Sequence, residues 1–177
     1  MSEARIGVEL PDEAHTAALA AVVAELVRPG DEIHLVGPLA AGKTACARGF
    51  LQALGHRGKV KSPTFTLVES YALTRDGAPL TVHHFDLYRL EDEEELDFVG
   101  FDDYRRPDAI LLIEWPSRAP HRLAPDVVVA LEITGPASRR ATLQLCSADA
   151  RARAVRLASL PKRIKEIARK LSNHLNK

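Results

Sequence analysis

The segment Gly37-Pro38-Leu39-Ala40-Ala41-Gly42-Lys43-Thr44 fits the pattern G-x-x-x-x-G-K-[ST] at every fixed position. A polyphosphate needs several hydrogen-bond donors on one concave surface. A small-residue loop feeding a helix N-terminus presents backbone N–H groups there, together with the positive end of the helix dipole. Gly42 lets the backbone come close, Lys43 reaches the outer phosphates as a point charge, and the Thr44 hydroxyl is placed to be one oxygen ligand of an octahedral Mg²⁺. Leu39, Ala40, Ala41 and Ala45 complete the expected phosphate cradle. The bland alternative is a strand, a glycine turn and a helix that happen to carry Lys-Thr. Pro38, Leu39 and Ala40 make the loop stiffer and less glycine-rich than many, but the pattern leaves those positions open.

Hydrolysis needs more than binding: a metal held correctly and a group that orients the attacking water. Glu114, which closes the apolar run Ala109-Ile110-Leu111-Leu112-Ile113, is the candidate acidic partner of the metal, directly or through water. Its competing reading is a surface acid at a strand end. Asp86, in His83-His84-Phe85-Asp86-Leu87-Tyr88-Arg89, is the second acid expected near the γ-phosphate, against a plain turn or helix cap. Thr64 follows Pro63 in a loop, where its hydroxyl is suited to report on the γ-phosphate as switch threonines do; a strand-start threonine is the other explanation. Trp115, the sole tryptophan, either packs in the core, which is the default, or walls the nucleotide site. His83 and His84 are adjacent, so on a strand they point to opposite faces and cannot easily share one metal.

These groups must be positioned by elements the sequence also marks. Glu32 to Val36 reads as a short buried strand entering the glycine loop, and Ala45 to Leu54 as the helix leaving it, ended by Gly55. Before them come a strand over Arg5 to Leu10 and an Ala-rich helix from Pro11-Asp12 to about Val27, with Ala14, Ala18, Val22 and Leu26 on one face. That helix is expected simply to cover the sheet, the alternative being that its first turn also edges the nucleotide base. Thr64 to Leu73 and Leu80 to Phe85 form an inserted hairpin around Arg75-Asp76-Gly77-Ala78. The acidic run Glu91 to Glu95 opens a short helix as a dipole complement. The uninterrupted apolar run ending at Ile113 predicts a central strand covered on both faces, with Glu114 at the sheet edge where α/β folds bind ligands. Val127 to Ile133 and Ala141 to Cys146 are two further strands.

With 177 residues the chain is about the size of one domain, and its 24 basic and 24 acidic residues argue against coating nucleic acid by bulk charge. The two cysteines, Cys46 and Cys146, lack zinc or disulfide spacing. With no leader pattern and no apolar run of membrane-spanning length, the expectation is a soluble cytoplasmic protein without membrane contact. From Arg151 onward only Glu166 is acidic among many Arg and Lys, and Ile164, Ile167, Ala168 and Leu171 make a helical stripe. Residues 151–177 are therefore expected as a basic extension, helical or mobile, on a domain of residues 1–150.

In this order and spacing, Gly37 to Thr44, Ser62-Pro63-Thr64-Phe65-Thr66-Leu67-Val68, Phe85-Asp86-Leu87-Tyr88-Arg89-Leu90 and Ile113-Glu114-Trp115-Pro116 resemble the TsaE family, formerly YjeE, over about Leu10 to Leu145. The resemblance implies a P-loop NTPase-like α/β fold, a mixed sheet flanked by helices. It implies a weak Mg²⁺-dependent ATPase that works with TsaD and TsaB homologues in placing the threonylcarbamoyl group on the adenosine next to the tRNA anticodon. The tRNA would then be met only through the complex. By position, Lys43 and Thr44 correspond to the phosphate lysine and Mg²⁺ threonine, Glu114 to the second metal ligand, and Asp86 to the acid implicated in hydrolysis. Thr64 and Trp115 fall near the nucleotide. Many members read Gly-Asp-Leu-Gly-Ala-Gly-Lys-Thr-Thr, where this chain has Pro38, Ala40 and Ala45, and the lost second threonine predicts weaker nucleotide binding, of order ~1 kcal/mol. ATP is preferred on family grounds, and no Asn before Asn173 is present to form an Asn-Lys-x-Asp guanine reader. The alternatives are a P-loop small-molecule kinase, for which Arg139-Arg140 is thin support as a lid, and a nucleotide-gated assembly factor that does not require hydrolysis.

Overall fold

The computed structural model describes residues 4–157 and 159–175. Of the basic tail, Asn176 and Lys177 lie outside the described residues, as do residues 1–3. The strands form one seven-stranded sheet in the order β1-β7-β6-β2-β5-β4-β3. These are β1 (Ala4–Leu10), β2 (Glu32–Val36), β3 (Val68–Arg75), β4 (Ala78–Asp86), β5 (Ala109–Glu114), β6 (Val127–Ile133) and β7 (Arg139–Leu145). β6, β2, β5 and β4 run parallel, and the flanks β1-β7-β6 and β4-β3 are antiparallel. The helices are α1 (Glu13–Leu26), α2 (Lys43–Ala53), the single turns α3 (Glu95–Phe98) and α4 (Phe101–Tyr104), α5 (Ala148–Ala152) and α6 (Leu160–Leu175). None among the described residues is long and apolar enough to cross a membrane.

β5 explains the two-faced core. Ile110 and Leu112 join the cluster under α1 and α2, while Leu111 and Ile113 join the opposite one with Phe85, Leu96 and Phe101. Alternate residues of a strand point to opposite faces, so only an unbroken apolar run can serve both.

α1 begins where Asp12 accepts from the His15 backbone N–H at 2.9 Å. Its expected single apolar face is corrected: besides Ala18, Val22 and Leu26, the residues Leu19, Ala20, Val23 and Ala24 are buried, because α1 packs against both α2 and α6. Its neighbour α2 comes so close that a Cβ on Gly49 would stand 2.9 Å from Ala17 Cα.

The hairpin differs from expectation at its start. β3 begins at Val68, not Thr64, because the Leu67 N–H bonds the Pro63 carbonyl at 2.7 Å and Leu67 takes a left-handed φ of 67°. The turn is as the sequence indicates, with Asp76 at φ 52° and Gly77 at φ 80°, both left-handed as a two-residue hairpin turn requires. The hairpin is not an appendage, since β4 pairs in parallel with β5 within the main sheet.

At the C-terminus, Pro161 sits in the first turn of α6, where a residue needs no N–H partner. Leu160, Ile164 and Ala168 are buried in the α1 cluster, Ile167 packs against it, and Leu171 stays exposed. Just before, Arg153 donates to Asp31 at 2.5 and 3.0 Å and to the Leu26 carbonyl at 3.0 Å, tying the tail to the α1–β2 junction.

Candidate functional site

β2 delivers the chain to Gly37 at the carboxyl edge of the parallel strands. A Cβ at Gly37 would lie 2.5 Å from the Leu131 carbonyl oxygen, so the close pass to β6 demands glycine. Gly42, left-handed at φ 98°, is the N-cap of α2, and no side chain caps that end. The first-turn N–H groups of α2 are thereby left for an anion. Ala40 is also left-handed, at φ 62°.

Of the candidate site residues, Leu39, Ala40, Gly42, Lys43, Thr44, Ala45, Thr64, Asp86, Glu114 and Trp115 line one cavity of about 390 Å³, together with Ser62 and Tyr88. Ala41 is fully buried and borders a second cleft of about 220 Å³ on the other side of Gly42 and Ala45, walled by Glu13, Thr16 and Arg139. A larger cleft of about 710 Å³, between α1, α2, the hairpin turn and Ile167, contains none of these residues.

Lys43 is 5 % exposed. Its Nζ donates to the carbonyls of Gly37 and Pro38 at 2.8 Å each and lies 3.9 Å from the Trp115 ring centroid. Burial pushes its pKa down, while the charges of Glu114 and Asp86 oppose that shift. Thr44 Oγ1 donates to Glu114, with Oε1 at 3.1 Å and Oε2 at 3.2 Å. Glu114 is not a surface acid, being 2 % exposed. It stands in register beside Asp86 on the neighbouring strand. Asp86 accepts from Ser62 Oγ, from Thr64 Oγ1 at 2.8 Å and from the Tyr88 backbone N–H at 3.0 Å. It therefore caps a turn and faces the cavity at once, and Thr64 belongs to its loop rather than to a strand.

Trp115 combines both readings, packing against the Phe85–Phe101–Ile113 cluster and walling the cavity. It holds a left-handed φ of 59°, is half-buried, and meets the Tyr88 ring at a tilt of 51° with centroids 4.9 Å apart while lining the cavity. Its position one residue past the strand, where β5 turns sharply into a 3₁₀ turn (Pro116–Arg118), puts the ring at the border between that cluster and the cavity.

Three contributors escaped the sequence reading. Arg139 donates to the carbonyls of Ala41 and Ala40 at 3.0 Å each, of Gly135 at 3.1 Å and of Ser138 at 2.7 Å. Its fork is divided between the 37–44 loop and its own β6–β7 turn, Arg140 pairs with Glu9 at 2.6 Å, and neither lines the 390 Å³ cavity as the lid suggested by Arg139-Arg140 would. His84 donates from Nε2 to Glu114 Oε1 at 2.9 Å. Ser62 joins Thr64 on Asp86. Only Ser62 had a signal, its place before Pro63-Thr64.

The donor set tests the metal. Thr44 and Glu114 offer hard oxygens, suited to Mg²⁺ rather than to a soft ion. Among the described residues no group of three or more His, Cys, Asp or Glu is gathered to hold an ion.

The family model described as threonylcarbamoyl adenosine biosynthesis protein TsaE matches residues 10–142. A Haemophilus influenzae protein named tRNA threonylcarbamoyladenosine biosynthesis protein TsaE is 54% identical over 86 residues, covering 49% of this chain and 52% of that protein. The Bacillus subtilis protein of the same name is 42% identical over 105 residues, covering 59% and 61%. The Rickettsia felis one is 35% identical over 126 residues, covering 70% and 71%. The chain thus spans 52% and 61% of the first two relatives. The crystal structure of Bacillus subtilis YdiB superposes with a TM-score of 0.66 at 24% identity, covering 98% of each chain, which shows the shared mixed α/β fold.

Proposed function

Because the chain belongs to the TsaE family, we propose that it binds and hydrolyses ATP as a component of tRNA threonylcarbamoyladenosine formation, acting with TsaD and TsaB homologues. The observation that carries this reading is the convergence of Lys43, Thr44, Thr64, Asp86 and Glu114 on one cavity at the uncapped N-terminus of α2. The phosphates lie on the N–H groups of the 37–44 loop and α2, with Leu39 to Ala45 as the cradle. The nucleoside extends toward the Glu13 and Thr16 side, into the smaller cleft. Lys43 exchanges the two loop carbonyls for phosphate oxygens, keeping its charge over the Trp115 face. Thr44 and Glu114 would hold Mg²⁺, which when bound would supply neutralisation of the charge that develops on the phosphates. Asp86, with Ser62 and Thr64 fixing one of its oxygens, orients the attacking water and accepts its proton.

Nothing in the cavity reads as a second-substrate site, so the transferase chemistry belongs to a partner. Phe65 and Phe98, 85 % and 90 % exposed, flank a groove that shares Thr64 with the nucleotide cavity and support partner docking at this end. The residues 1–150 carry the ATPase in this reading, with residues 151–177 as an accessory.

The experiment is phosphate release by the purified protein alone and with TsaB, TsaD and tRNA, with Lys43→Ala as blank. Slow turnover that rises with the partners is expected. Absence of phosphate release in every mixture overturns the reading. Asp86→Ala should keep ATP binding and lose hydrolysis and tRNA modification together; full modification by that variant would make the protein an occupancy switch.

A further inference from the structure

His84 sits on β4 two residues before Asp86, so both side chains leave the same face of the strand. On β5 its register partner is Leu112, two residues before Glu114. The ring is 0 % exposed and Glu114 2 % exposed. Because a carboxylate only accepts, the 2.9 Å contact is an Nε2–H donated to Oε1. The other ring nitrogen, Nδ1, is buried with no partner. Packing does not explain this residue, since an aliphatic side chain would fill the space without leaving a polar atom unpaired.

The hydrogen bonds of Glu114 divide by donor. Those from Thr44 come from the hydroxyl assigned above to the metal. The remaining one comes from His84, whose donor is committed to nothing else. We propose that His84 is a positioning residue for Glu114: its single N–H holds one carboxylate oxygen so that the carboxylate stays aimed at Thr44 and keeps its place when Thr44 turns to Mg²⁺. Partners of this kind orient metal-binding carboxylates and typically weigh roughly 10- to 100-fold in metal affinity. The inference rests on the proposed Mg²⁺–ATP site.

The test uses Trp115, the sole tryptophan, as reporter. Its ring lies 3.9 Å from Lys43 Nζ, so its fluorescence senses nucleotide arrival. The full-length protein with a non-hydrolysable ATP analogue is titrated with Mg²⁺, and the analogue is also titrated in EDTA. His84→Asn, whose shorter amide cannot reach Glu114, and His84→Met, which fills the space without an N–H, should both raise the Mg²⁺ midpoint roughly 10- to 100-fold. Analogue binding in EDTA should stay as in the wild type. His84→Gln places an amide N–H where Nε2–H stood and should restore the midpoint. A wild-type midpoint in His84→Asn and His84→Met, or equal losses with and without Mg²⁺, reduces His84 to packing and overturns the inference. Failure of His84→Gln to rescue overturns the N–H assignment. A wild-type protein that answers to no nucleotide at all brings down the Mg²⁺–ATP reading itself.

Discussion

Ala40 is the residue whose backbone and identity disagree. At φ 62° it occupies the left-handed region, where a Cβ crowds the following carbonyl at a cost of roughly 1–2 kcal/mol. Arg139 holds it there by its carbonyl. Ala40→Gly should therefore raise stability by about 1 kcal/mol, less the extra freedom glycine gains in the unfolded chain, as read by urea unfolding. An unchanged or lower midpoint would mean that the loop relaxes elsewhere. The same loop shows why some site residues were legible and others were not. Gly37, Gly42, Lys43 and Thr44 are fixed by a backbone path that few sequences can follow, so spacing alone identifies them. Arg139 and His84 act through backbone carbonyls and one carboxylate from distant segments, and no local pattern records such a partnership. Trp115 was ambiguous because a ring beside a strand end can touch core and cavity together, as it does here.

At the scale of elements, β2 enters the sheet through a buried polar cluster. Glu32 accepts from His34 at 2.8 Å, from Arg105 at 3.1 Å and from the Ala124 N–H at 2.9 Å, and its own N–H bonds Asp126 at 2.9 Å. Burial pulls the Glu32 carboxyl up, but the His34 hydrogen bond and charge and the Arg105 charge outweigh it and hold the group below its ordinary value of 4.5. A carboxyl lowered in the folded state adds stability above its unfolded pKa, and that stability drains away as the pH falls through the folded one. Urea unfolding of Glu32→Gln should thus show a lower plateau near neutrality and a shallower acid decline than the wild type; parallel curves would detach Glu32 from acid stability. Strand β2 itself was legible as a short buried run. Its polar entrance was not, because Glu32 and His34 look like ordinary alternation until Arg105 and Ala124 arrive from elsewhere. The late start of β3 has a similar source: Thr64 to Val68 alternates well enough, yet the Pro63 carbonyl captures the Leu67 N–H and turns the chain first.

Across the whole molecule, the tail behaves as part of the α1 layer. Arg153 is 6 % exposed and bidentate with Asp31, and α6 covers α1 with Leu160, Ile164 and Ala168. Removing one partner of a buried pair strands the other charge, so Arg153→Ala should cost about 3–5 kcal/mol in thermal or urea unfolding, and Asp31→Ala/Arg153→Ala should cost less than the two single changes summed. Strict additivity would show that the pair is not coupled. Cutting the chain at Arg151 is accordingly a stability experiment before it is a test of any tRNA contact. The basic, amphipathic character of the tail was readable from its composition. Its seat on α1 was not, since an apolar stripe does not name the surface it will cover.

The pairing of β1 with β7, from Ala4 opposite Leu145 to Leu10 opposite Arg139, also governs how the protein comes into being. β1 finds its partner only after every other strand of the sheet has been made, and α1 keeps its apolar flanks exposed until α6 follows. A sheet closed by such distant segments folds slowly, and its half-made forms present unpaired edges and bare helix faces to whatever is nearby. Until β7 and α6 are made these surfaces stay open, so rapid overexpression should send the chain into aggregates even where the finished molecule is stable.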